Sequence, residues 1–422
     1  MRTSLPFAAT LVAVSACGNA FSAGGAPADA GADVALADGA TDGASHGDDA
    51  GSTDGAPDAA ADHGIPSGDA SCGDTTHSPD NCGRCGHSCL GGGCVSGTCQ
   101  ALTLAGTQAQ PTSVVAYDLP GTDTRAIWTQ TSAVGAGAIS ECHFGPGSSC
   151  TPAALESGTH PRSLVLTDAM LFWFDLSGTG AVQSLPLVCN PCTATTVADT
   201  PAPDWGGTLA ADTQNVFWTD DGPAPSGHLY GAPAMASGPS VALVSMTSSY
   251  PTAVTIDSQA NAVDWVDGLT IEQCPNSLTS CTPTPLATLA GSPTPNAPAT
   301  LVAYKGTIYW TSPLDGAVAK CTPAVCLTTL KVVARNLSYP VGLKVDDSGI
   351  YWAEHGSVPG SCTATAGRIA MCPLSGCTAE PVVLSTGEDC PLSVTTTARA
   401  VVWADEGQAG QTAGAVKAIA KP

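Results

Sequence analysis

Charge is what this sequence has least of. Asp, Glu, Lys and Arg make up 12% of its 422 residues, and only 13 of them are basic. An architecture of long helices laced with ion pairs four residues apart is therefore excluded. No uninterrupted apolar run reaches the roughly 18 residues of a membrane-spanning helix, so none is expected. The formal charge is −23, which excludes recognition of nucleic acid or an anionic membrane through bulk electrostatics. Also lacking are a phosphate-cradling Gly loop, a Gly-x-Ser-x-Gly elbow and a His-Glu-x-x-His helix. In place of these the chain holds 47 Gly and 33 Pro, the composition of many turns joining short strands.

A period is present. Trp128, Trp173, Trp218, Trp265, Trp310, Trp352 and Trp403 recur at spacings of 45, 45, 47, 45, 42 and 51 residues. A repeat of about 40–50 residues marks one supersecondary unit copied along the chain. Six of the tryptophans follow an apolar residue, as in Phe172-Trp173 and Val402-Trp403; the exception is Asp264-Trp265. A proline opens most units: Pro111, Pro161, Pro251, Pro298, Pro340 and Pro391, with Trp205-Gly206-Gly207 in the third. After it come a short apolar run, a polar turn, the Trp strand, a loop, and two further short strands. Four short strands per unit describe one propeller blade. The expected fold is all-β, a propeller of seven four-stranded blades. The last unit, from Pro391, shows three strands. Ala101-Leu-Thr-Leu-Ala-Gly106 matches Leu286-Ala-Thr-Leu-Ala-Gly291, a fourth strand elsewhere, so residues 100–106 are expected to complete that last blade.

Tyr309-Trp310-Thr311 and Phe217-Trp218-Thr219-Asp220 resemble the signature of YWTD and NHL propellers. The YWTD class is usually six-bladed, so seven tryptophans depart from it. The resemblance implies that each Trp packs between neighbouring blades; stacking platforms for a ligand are the alternative role.

Ahead of the propeller region (100–422) lie three segments. Residues 1–17 read as an export signal: Met1-Arg2, a short apolar run from Leu5 to Val14, then Val14-Ser15-Ala16-Cys17. That ending resembles a bacterial lipobox, which implies acylation of Cys17; ordinary cleavage is the other reading. Residues 18–71 carry ten Asp and no Lys or Arg among Ala, Gly, Ser and Pro, the composition of an extended, disordered tether. Residues 72–99 hold six cysteines, Cys72, Cys82, Cys85, Cys89, Cys94 and Cys99, and resemble a Cys-rich repeat of secreted myxobacterial proteins. Three disulfides of undetermined connectivity are expected, with a zinc site starting at Cys82-x-x-Cys85 as the rival.

Inside the propeller region the close pairs Cys142/Cys150, Cys189/Cys192, Cys274/Cys281, Cys321/Cys326 and Cys372/Cys377 bracket the turns between third and fourth strands. Cys362 and Cys390 remain to pair with each other. An exported location follows, in a bacterial envelope or outside it.

Candidate chemistry gathers after the Trp strands, at Asp175, Asp220, Asp221, Asp267, Glu354, Asp405 and Glu406. Equivalent blades would align these on one face, as a solvated acidic rim, a Ca²⁺ site or a surface for a basic partner. No other cofactor is implied. His355 beside Glu354 is the one acid/base pair of note. Two functions fit: a non-enzymatic binding protein whose face loops meet a protein, peptide or glycan, or a lyase or hydrolase using Glu354 and His355.

Overall fold

The computed structural model describes residues 72–131, 137–178, 180–188, 192–200, 207–220, 227–245, 251–288, 299–323, 325–356, 363–407 and 413–422. The lipobox cysteine Cys17 and the tether lie outside them. Seven antiparallel four-stranded sheets radiate from a common axis. Their innermost strands are neighbours in an unbroken cycle: Val114–Asp118, Pro161–Leu166, Leu209–Ala211, Pro251–Asp257, Thr300–Tyr304, Pro340–Asp346, Pro391–Thr396, and back to the first. Sequence order runs from the axis outward in six blades. In the seventh, Pro391–Thr396, Ala400–Asp405 and Gly414–Ala420 are completed by Leu102–Gln108, with Leu102 opposite Ala418 and Ala105 opposite Val416. The expected closure holds, and it covers an edge that would otherwise invite pairing with another chain.

Sheets that radiate from an axis diverge outward and leave wedges, and the tryptophans fill them. All seven are at most 1% exposed. Each packs into the apolar cluster of the blade before it: Trp218 against Phe172 and Val197, Trp265 against Phe217, Trp352 against Tyr309, Trp128 against Val402 and Val416. A large planar ring on the second strand contributes the most area per residue at that point. The residue before each Trp points the other way, toward the next blade, because strand side chains alternate.

Nearer the axis the blades are stitched by hydroxyls. Inner-strand Ser or Thr oxygens accept from an inner-strand amide of the following blade: Ser393 from Val114 (3.2 Å), Ser113 from Leu164 (3.0 Å), Ser163 from Leu209 (3.2 Å), Thr208 from Val254 (2.9 Å) and Thr255 from Ala303 (3.2 Å). The sixth blade has Gly342 there, at φ +37°, where a Cβ would lie 2.6 Å from Leu392 O. Backbone approach replaces the hydroxyl at that seam.

The recurrent prolines have partners that were not read from the sequence. Gly137, Gly227, Gly367 and Gly414 begin third strands or sit just before them. A Cβ on each would fall 2.3–2.9 Å from Cδ of Pro161, Pro251, Pro391 and Pro111 respectively, the proline that opens the next blade. Proline suits the start of a strand, where no ladder hydrogen bond is lost, and its ring needs the bare glycine opposite.

Four of the expected turn-bracketing disulfides are formed, Cys142–Cys150, Cys274–Cys281, Cys321–Cys326 and Cys372–Cys377, with Cα separations of 4.9–6.2 Å. Cys192 and Cys390 are disulfide-bonded; their expected partners Cys189 and Cys362 lie outside the described residues. One bracketed turn coils into a short helix, Cys326–Thr329, so the fourth strand there starts at Lys331. In the small module the pairs are Cys72–Cys85, Cys82–Cys94 and Cys89–Cys99. The sulfurs of Cys82, Cys89 and Cys99 lie close enough to suggest a metal. All three are consumed by disulfides and supply no thiolate to zinc, which removes that rival. The module is not a free appendage: Leu90 and its cystines share a core with Leu104, Phe144 and Ile419, and His87 Nε2 lies 2.8 Å from Lys421 O. Such short disulfide loops each stabilise by about 2–3 kcal/mol, and disulfides belong to exported proteins.

Replacing Gly367 with Ala forces a methyl against Pro391 and Glu388 O. The expected cost is about 1–3 kcal/mol, read as a lower denaturant midpoint with unchanged slope. An unaltered midpoint would refute the glycine–proline seam.

Candidate functional site

The second strands of all seven blades end two residues after the Trp, at Gln130, Asp175, Asp220, Asp267, Ser312, Glu354 and Asp405. The acidic positions therefore do share one end of the ring, as the repeat implied. They do not form an open acidic rim. Asp220, Glu354 and Asp405 are buried. Asp175 accepts from His160 N at 3.0 Å and from the Ser177 amide and hydroxyl at 2.9 and 2.7 Å. Its carboxylate caps the backbone just ahead of Pro161. Glu354 repeats that role by accepting from Ser338 N at 2.8 Å. Its other oxygen meets Arg368 Nε at 2.7 Å and the Trp352 indole N–H at 3.2 Å.

Asp405 is held differently. Lys417 Nζ lies 2.8 Å from Asp405 and 2.6 Å from Glu388, and Glu388 also accepts from Trp403 Nε1 at 3.1 Å. Burial and the neighbouring Glu388 hold the Asp405 carboxyl well above the usual range, while this pair raises the Lys417 ammonium against its burial. Burial also raises Glu406. Asp267 is half-buried, and Asp221 lies outside the described residues, as do most loops leading into the third strands.

His355 is 1% exposed, with its ring edge-on to Tyr339 at 6.1 Å and its amide donating to Tyr339 O at 3.0 Å. The structure thus places Glu354 and His355 side by side in the wall of a blade, within a web of structural bonds.

Asp264, the exception before Trp265, is fully buried and raised to about 7, chiefly by burial. Gln273 Nε2 donates to it at 2.7 Å. In the other blades this position is apolar and packs on the next blade.

A formed cavity lies at the opposite end of the ring, where first strands turn into second strands. It encloses about 500 Å³, within the range of small-ligand pockets. The first blade contributes Tyr117 and Asp118, the fifth Tyr304, and the sixth Lys344 and Asp346; Lys421 reaches in from the chain's last residues. None was singled out from the sequence. Lys344 carried the available signal, a rare basic residue inside the apolar run Val341-Gly-Leu-Lys-Val345. It is 5% exposed, and burial lowers its ammonium to about 7, with Asp346 opposing and Lys421 adding to the shift.

No family model matches the chain, and no curated protein matches it. Among solved structures, the WD40 β-propeller domain of Doa1 is similar at a TM-score of 0.50 and 11% identity, covering 76% of this chain and 97% of that one. The chain is a seven-bladed β-propeller. Likeness to a nidogen/laminin complex is lower, with a TM-score of 0.39 and 15% identity over 53% of this chain and 78% of that one. A luciferin-regenerating enzyme gives 0.44 and 11% over 67% of this propeller chain and 99% of that one. At these identities the likeness shows fold alone.

For Asp264 the folded pKa lies above the unfolded value, so the folded state binds the extra proton between about pH 4 and 7 and stability falls as pH rises through that window. Asp264→Asn keeps an acceptor for Gln273 and removes the charge. The expected result is a gain on the order of 2–4 kcal/mol at pH 8 and little change at pH 4, measured by denaturant unfolding. Equal effects at both pH values would contradict it.

Proposed function

We propose that this propeller is a non-enzymatic binding protein held at a bacterial surface. Acylated Cys17 supplies the anchor and residues 18–71 the spacer. A ring clamped by disulfides then presents one face to a protein, peptide or glycan. The observation that carries this reading is the occupation of the acid/base candidates. Glu354 is bonded through both oxygens to Arg368, Trp352 and Ser338, and His355 is buried beside it, so the pair serves the scaffold. A general acid or base must instead reach the proton it transfers. A rigid framework carrying loops and a pocket is the arrangement of a recognition module.

Two measurements test it. Metabolic labelling with palmitate is expected to mark the wild-type chain and not Cys17→Ala; an unlabelled wild type removes the anchor. Arrays of peptides and glycans probed with the exported Cys17→Ala chain are expected to show saturable binding, with the bound compound recovered at unchanged mass. A cleaved product would establish the lyase or hydrolase reading instead.

A further inference from the structure

The cavity at the turn end of the ring has a charge balance unlike that of the chain around it. Each carboxylate on its wall is answered by a cation: Asp118 by Arg399 at 3.4 Å, Asp346 by Lys421 at 2.5 Å, and Asp347 by Lys305. Lys344 makes a fourth cation against three carboxylates, so this set carries one net positive charge in a protein of net −23. The remaining wall is apolar, formed by Ala116, Val345, Ala398 and two tyrosine rings. Both tyrosine hydroxyls are engaged: Tyr304 donates to Asp347 at 2.8 Å, and Tyr117 accepts from Arg125 at 2.6 Å. The rings therefore face the cavity as apolar surface.

An occupant that matches needs one negative charge beside an apolar body. A phosphate dianion would leave a charge without an answer in a semi-enclosed site, which is costly. We propose that this cavity binds small amphipathic monocarboxylates, with the ligand carboxylate meeting Lys344 and its apolar part lying against Tyr117 and Tyr304. The inference rests on the binding reading above and assigns it a site and a ligand chemistry. That chemistry has two sources, a free organic acid or the C-terminal carboxylate of a hydrophobic peptide.

Protonation gives the site a signature. Lys344 sits near neutrality without ligand, so a bound carboxylate draws a proton onto it. Facing it are Asp346 and Asp347 of its own blade, Tyr351 paired across the sheet, Tyr117 and Asp118 of the first blade, Tyr304 and Lys305 of the fifth, Arg399 of the seventh, and Lys421. Carboxylate affinity is expected to be full at pH 6 and to weaken as pH rises above about 7.

The test is calorimetric titration of the exported, oxidised Cys17→Ala chain with octanoate, octanamide, octyl phosphate, and acetyl-Leu-Phe as acid and as amide. At least one acid is expected to bind tenfold tighter than its amide at pH 6. That preference should shrink by pH 8.5, and octyl phosphate should bind no tighter than octanoate. The acid that binds more tightly identifies the source. Lys344→Met is expected to abolish the preference and its pH dependence, and Lys344→Arg to retain the preference without the pH dependence. Equal binding of acid and amide, no binding of either acid at millimolar concentration, or a preference for the phosphate would overturn the proposal. These comparisons decide on the wild-type pocket even if the Met variant does not fold. Failure here with array binding intact sinks only this site.

Discussion

Everything in this molecule depends on filling wedges. Twisted sheets set around an axis touch at their inner strands and part toward the rim, and a ring of them is stable only if each gap is packed to interior density. One tryptophan per blade does this, always against the preceding blade. The other recurring features serve the same seam. Hydroxyls of Ser113, Ser163, Thr208, Thr255 and Ser393 stitch it near the axis, glycine faces proline at its loop end, and a cystine holds the hairpin beyond it. A chain with so few charged residues has little else with which to join its blades.

That constraint explains where the polar residues went. Carboxylates two positions past the Trp stand where the inner strand of the same blade begins, and they bond backbone amides there or meet the cation across the strand pair. Glu354 with Arg368 and Asp405 with Lys417 are such arrangements. Breaking one of these pairs would strand a buried charge, which is worse than never having had it. Asp264 is the contrasting case, a carboxyl where the other blades have an apolar side chain, and the seam between its blade and the next bears the cost.

The architecture was legible because it is written locally and repeated. Trp spacing, opening prolines, paired cysteines and the match of residues 100–106 to a fourth strand each needed only a short window of sequence. The cavity was not legible, because it exists only after closure. Tyr117, Tyr304, Lys344 and Lys421 come from blades that meet across the axis, and no window holds more than one blade. Burial of Glu354 and Asp405 was hidden for a similar reason. Their positions follow from the period, but their partners lie on the adjacent third strand and, for Asp405, on the outer strand of the blade before. The glycine–proline seam was in plain view at a constant 24 residues in Gly137/Pro161, Gly227/Pro251 and Gly367/Pro391, yet it needs the packing to give it meaning.

The central claim is a closed ring, in which Leu102–Gln108 belongs to the blade begun by Pro391 about 290 residues later. Hydrogen exchange read by mass spectrometry tests it directly in the intact, oxidised chain. Amides of the Leu102–Gln108 and Gly414–Ala420 strands are expected to be protected together, opening with the same free energy as the other outer strands. Rapid exchange through residues 102–108, with Gly414–Ala420 protected no better than an unpaired edge, would contradict the closure and the account built on it.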